Sequence, residues 1–216
     1  MKLQIASRNN KPVNRDIKQI MADIHDPECQ LKSRELLKDF KRHLELLRRG
    51  YLLLNAAEFR GEVTKALQQT THSLKTVGSL EPENEFYFTD ELAALASGIA
   101  ITRIFVASRQ QLLNRAVQAK LCKHHQAGVK VLICYAEDLP ERVSEIAVSL
   151  PHFAIYNESL ITDHATGSSH YFGKRTASAV EVKKYAQVFE LIKAHAHPFA
   201  SERIQTQLQL INTLPI

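Results

Sequence analysis

The side chains best suited to chemistry gather in residues 150–179, LPHFAIYNESLITDHATGSSHYFGKRTASA. His152, His164 and His170 supply imidazoles, Ser168 and Ser169 hydroxyls, and Lys174 and Arg175 adjacent cations. Backbone amides around Gly167 and Gly173 can approach a ligand closely. Together these groups suit capture of a phosphate or carboxylate through amides and charge-assisted hydrogen bonds. The spacing Gly167-x5-Gly173-Lys174-Arg175 is one residue too long for a phosphate-binding loop and has arginine where serine or threonine holds magnesium. No HExxH motif and no carboxylate cluster accompanies the histidines, so the segment reads as a ligand site with no assigned catalytic residue, metal or cofactor.

The elements that must position these groups follow from periodicity. Residues 153–162 and 169–172 read as neighbouring strands around a polar tip of Asp163, His164, Ala165, Thr166 and Gly167. Upstream, 74–77 reads as a short strand, 101–107 is a continuous β-branched run suited to a central strand and 129–135 forms the next strand, with a helix over 110–125 joining the last two as a βαβ unit. Helices are expected over 13–25, from a Ser33 cap to Arg49, through 51–73, over 90–100 and over 179–195. The fold class is α/β: a mixed, mostly parallel sheet flanked by helices, with an α-helical N-terminal extension. The division is a basic helical extension at 1–56, an α/β domain at 57–200 and a tail at 201–216.

A chain of 216 residues with 44% hydrophobic and 24% charged residues suits one sizeable core. The net charge of +5 lies wholly in residues 1–60, which hold 13 basic against 8 acidic side chains. That N-terminal portion can steer toward nucleic acid or acidic partners, or present a solvated basic face. No apolar run approaches the roughly 18 residues of a membrane span, and no signal-peptide core opens the chain, so a cytoplasmic protein is expected. Cys29, Cys122 and Cys134 are odd in number and lack metal-ligand spacing.

Several other residues carry an expectation. Arg103 stands alone in an apolar strand, where a buried guanidinium needs a partner. Glu81, Glu83, Glu85, Asp90 and Glu91 read as a solvated loop and helix start, and His124 and His125 as solvated helix-end residues. The stripe Leu36, Leu37, Phe40, Leu44 and Leu47 calls for a cover: the domain's own sheet, a second copy in a homodimer, or nucleic acid along the basic side.

The order of elements over about 57–196, with Ala-Gly-Val-Lys-Val before a strand, Phe-Ala-Ile-Tyr-Asn, a Gly-Ser turn and a Tyr-x-x-x-Phe helix, resembles one half of the phospholipase D-like fold. Active members of that family carry His-x-Lys, then four residues, then Asp; the histidine attacks phosphorus and the lysine holds a phosphate oxygen. Here His152 matches the histidine, Ala154 stands at the lysine position and Ser159 at the aspartate position. The resemblance therefore implies a degenerate, non-catalytic relative: a regulatory or sensor module, homodimeric, binding an anionic ligand or protein partner through His152, His164, Gly167, Ser168, Ser169, His170, Lys174 and Arg175. The rival expectations are a phosphodiesterase or nuclease assembled across a dimer from His164 or His170 with Lys174, and a nucleic-acid-binding protein working through residues 1–60.

Overall fold

The computed structural model describes residues 13–78, 80, 86–150, 152–164 and 171–199. The chain divides into two compact units, Met1–Leu46 and Leu47–Ile216. In the first, α1 (Val13–Ala22) precedes α2 (Pro27–Arg48), which runs to the boundary. Asp26 accepts a hydrogen bond from the Cys29 amide at 2.8 Å and caps α2, with Pro27 in the first turn. The helix thus starts before Ser33, whose hydroxyl instead donates to the Gln30 carbonyl at 2.9 Å. Along α2, Leu36, Phe40, Leu44 and Leu47 are each about half exposed.

In the second unit the order is β1 (Tyr51–Leu54), α3 (Ala56–Gln68), β2 (Ser73–Gly78), α4 (Phe86–Ala96), β3 (Ala100–Ala107), α5 (Arg115–Gln126), β4 (Lys130–Tyr135) and α6 (Glu141–Ser149). Then follow β5 (Phe153–Tyr156), β6 (Leu160–His164), β7 (Gly173–Thr176), α7 (Ala179–Lys193) and β8 (Ala196–Pro198). The strands form one mixed sheet in the order β1-β7-β6-β5-β2-β3-β4-β8, flanked by helices. The α/β class holds. Parallel pairing, expected to dominate, is confined to β2 with β3 and β3 with β4; the other pairs are antiparallel. The reason lies in the connections: the chain leaves α6 running against β2, so β5 pairs antiparallel with it, and a tight turn then joins β5 to β6.

Two expected elements are replaced. Tyr51–Leu54 was read into a helix, yet Gly50 at φ 84 leaves the helical region and the next four residues pair with β7. Asn55 and Glu58 then start α3 as a capping box, the Asn55 side chain accepting from the Ala57 and Glu58 amides at 3.0 Å. The strand expected over 153–162 is a hairpin. Asn157 and Glu158, at φ 48 and 56, form its turn, and Tyr156 pairs with Leu160. The Asn157 side-chain oxygen also accepts from the Thr71 and His72 amides at 3.1 and 3.0 Å, fixing the turn to the end of α3.

Alternation along the strands divides the core in two. Leu54, Leu74, Ile101, Phe105, Val131 and Ile133 face α3 and α5, where Phe59, Val63, Leu67 and Leu121 meet them. Phe153, Ile155, Ile161 and Ile104 face the other way, toward Val182, Tyr185, Phe189 and Ile192 of α7. Gly173 permits the closest approach of helix to sheet: a Cβ there would lie 2.3 Å from the buried Phe59 ring. Gly173→Ala should therefore cost about 1–3 kcal/mol in urea unfolding through overpacking; an unchanged midpoint would show that Phe59 yields freely. Among the described residues no helix is long and apolar enough to cross a membrane.

Candidate ligand cavity

Between the sheet and helices α3, α4 and α5 lies a cavity of about 450 Å³. Its floor exists because small side chains stand side by side in the middle of the sheet. Gly78 and Thr76 of β2 pair with Phe105 and Arg103 of β3 on one flank. On the other flank, Ala154 of β5 pairs with Thr76 and with Thr162 of β6. Larger groups rise around this recess: Phe59, Val63 and Leu67 from α3, Phe88 and Glu91 from α4, Lys120, Lys123 and His124 from α5. Such a volume suits one small molecule.

One wall is charged. The Arg103 guanidinium donates to Thr76 Oγ1 at 3.0 Å and to Glu91, and lies 3.4 Å from both ring nitrogens of His124. Glu91 and His124 are each 4% exposed. Burial raises the Glu91 carboxyl above its usual range, against the pull of Arg103, and its second oxygen, Oε2, has no hydrogen-bond partner. Burial, with Arg103, Lys120 and Lys123 nearby, pushes His124 down to about 3, so its imidazole is neutral. The ammonium of Lys120 lies 5.9 Å from the centroid of Phe105 and that of Lys123 4.7 Å from the centroid of Phe88. Among the described residues, with His124 neutral, three cations face one carboxylate along this wall.

The opposite wall is built from rings. His164 stacks edge-on against Phe172, with centroids 4.3 Å apart, and against Phe59 at 5.9 Å. His152 stands 6.1 Å from His164, where the His164 amide donates to the His152 carbonyl at 3.0 Å. Below them the Tyr156 hydroxyl and Thr162 Oγ1 share a hydrogen bond of 3.1 Å.

Of the residues singled out in the sequence, the structure brings His152 and His164 to this cavity. Arg175 is on the same face, with Nε 3.1 Å from Glu62 as an ion pair. Lys174 is its neighbour on β7, so it points the other way and bonds Asp163 at 2.9 Å on the α7 side. There Asp163 also accepts a hydrogen bond from Tyr185. Tyr51 and Arg49 meet Glu181 at 2.6 and 2.7 Å in the same layer. These donors, Arg49 foremost, hold the Glu181 carboxyl down to about 2. Lys174 and His164 therefore serve different faces. Gly167, Ser168, Ser169 and His170 lie outside the described residues, as do Glu81, Glu83 and Glu85.

The sequence reading missed the charged wall. Its signal was Arg103, whose need for a partner is met by Glu91. Glu91 and His124, expected to be solvated, are buried instead, because the apolar spacing of α4 and α5 turns them toward the sheet.

No family model and no curated protein matches the sequence. Among solved structures the fold is similar to Nuc from Salmonella typhimurium, a phospholipase D family member, at 10% identity over 70% of this chain and 98% of that one, with a TM-score of 0.49. It is also similar to TrmBL2, an archaeal chromatin protein described with a mode of DNA binding, at 10% identity, 86% and 67% coverage and a TM-score of 0.49. NucT from Helicobacter pylori matches at 10% identity, 69% and 97% coverage and a TM-score of 0.46. Similarity at this level assigns neither family nor activity, so function is read from the cavity.

Proposed function

We propose that this chain is a non-enzymatic regulatory or sensor module whose ligand is a small anionic molecule held between the sheet and α3, α4 and α5. The observation that carries the reading is the cavity of about 450 Å³ where, among the described residues, Arg103, Lys120 and Lys123 are set against the carboxylate of Glu91. An anion entering there gains from positive charge in a medium of low polarity. A binding role fits better than phosphoryl transfer. The side chains beside the two imidazoles on the sheet floor are Ala154 and Thr162, neither of which can neutralise a phosphoryl oxygen, and Lys174 is turned to the other face. Self-association of two copies through the exposed Leu36, Phe40 and Leu44 of α2 belongs to the same reading.

Titration calorimetry of the full chain with 2-naphthoate tests it. Saturable binding is expected, weakened roughly tenfold, about 1.4 kcal/mol, in Lys120→Gln/Lys123→Gln. Undiminished affinity in that variant would remove the anion site. Hydrolysis of bis(4-nitrophenyl) phosphate that disappears in His152→Ala would show an enzyme instead.

A further inference from the structure

Among the described residues three carboxylates are buried, Glu91, Asp163 and Glu181, and they are satisfied to different degrees. On the α7 side Asp163 bonds Lys174 and Tyr185, and Glu181 bonds Arg49, Tyr51 and Lys184. Glu91 lines the cavity, and among the described residues its Oε2 has no hydrogen-bond partner. We infer that the ligand carries an amide with a free N–H, which donates to Glu91 Oε2 while the amide carbonyl accepts from the ring of His124. This rests on the reading of the cavity as the ligand site.

The surplus oxygen follows from strand register. Thr76 of β2 pairs with Arg103 of β3, and its Oγ1 accepts from Arg103 Nε at 3.0 Å. Arginine commonly meets a carboxylate through two parallel bonds. Here Nε is committed to Thr76 and Nη1 lies against His124 at 3.4 Å, so Nη2 alone reaches Glu91, at Oε1. An oxygen buried at that depth has given up its hydration and calls for a donor. His124 has the complementary need. Its imidazole is neutral and keeps one N–H. Arg103 can only donate, so one ring nitrogen accepts and the other carries the hydrogen. Among the described residues the groups around that ring are Arg103, Lys120, Lys123, Phe88 and Phe105, none of which offers an oxygen acceptor. Because Arg103 lies against both Glu91 and His124, the acceptor and the N–H share one stretch of wall. An amide answers both at once, whereas an ester or a carboxylate brings acceptors alone and sets an oxygen against Glu91 Oε2.

Two probes of matched charge and similar shape give the test: 4-carbamoylbenzoate, which has the amide N–H, and 4-(methoxycarbonyl)benzoate, which has the carbonyl without it. Each is titrated into the full chain by calorimetry. The amide should bind at least roughly tenfold more tightly, as one hydrogen bond to a charged acceptor gives. In Glu91→Gln the side-chain carbonyl stays with Arg103 and the new amide group faces the ligand, so the preference should fall to parity or reverse. The comparison of probes is made on the unaltered chain and stands whether or not that variant folds. Equal affinities would overturn the amide reading and leave the anion site standing, the oxygen then being served by water. A preference undiminished in Glu91→Gln would overturn the assignment to Glu91. Benzamide bound as tightly as 4-carbamoylbenzoate would support the amide contact while removing the anion. Binding of neither benzoate would overturn both.

Discussion

Replacing Arg103 with alanine should lower the unfolding free energy by about 3–5 kcal/mol, the usual cost of removing one partner from a buried ion pair. Glu91 is 4% exposed and has Arg103 as its charged partner, and one of its oxygens is already without a hydrogen bond. Without the guanidinium its carboxyl must stay charged in a buried position without its hydrogen-bonded partner, or take up a proton. Thr76 Oγ1 loses its donor as well. The double variant Glu91→Leu/Arg103→Met should recover most of the loss, because two apolar groups need no partners. The comparison is a double-mutant cycle in urea. Additive losses in the two single variants would show that the pair does not act as a unit.

Acid should weaken the fold through His124 well before ordinary acid unfolding. The ordinary pKa of the imidazole is 6.5, and the buried ring in the fold takes a proton only at about 3. Between these values the unfolded chain binds one more proton than the native chain, so stability falls as pH falls. The loss approaches 1.36 kcal/mol per pH unit, or about 2–3 kcal/mol from pH 6.5 to 4.5. Glu181 adds to it lower down. Its folded pKa of about 2 gives stability that is present above the ordinary carboxylate value of 4.5 and lost as pH drops toward 2. Glu91 and Asp163 act with the opposite sign, since burial raises both. The groups facing His124 are Arg103 and Phe105 from the sheet, Phe88 from α4, and Lys120 and Lys123 on its own helix. Unfolding curves of the native chain and His124→Gln isolate the imidazole: the difference between them should shrink by roughly 1 kcal/mol per unit on acidification between pH 6.5 and 4.5. Parallel pH profiles would show that the ring titrates normally.

Much of the architecture was legible because it rests on local pattern. The runs at 101–107 and 129–135 became β3 and β4, since β-branched and apolar residues in succession suit central strands, and the short stretch 74–77 became β2 beside them. Tyr51–Leu54 was lost because Leu52 and Leu53 continue a leucine-rich helical stripe, and only pairing with β7, more than a hundred residues away, makes them a strand. The hairpin turn was hidden for a different reason. Asn157 signals a left-handed turn, but Glu158 does not, and the partners that hold Asn157 are backbone amides at Thr71 and His72. The site was half legible: alternation could have separated Lys174 from Arg175, whereas the meeting of Arg103, Glu91 and His124 depends on three elements packing together.

The row Gly78, Thr76, Ala154 and Thr162 has a mechanical meaning. Since backbone hydrogen bonds hold neighbouring strands at a fixed pitch, the bed of the hollow takes its outline from strand register, and a larger side chain at any of these four positions would fill it from below.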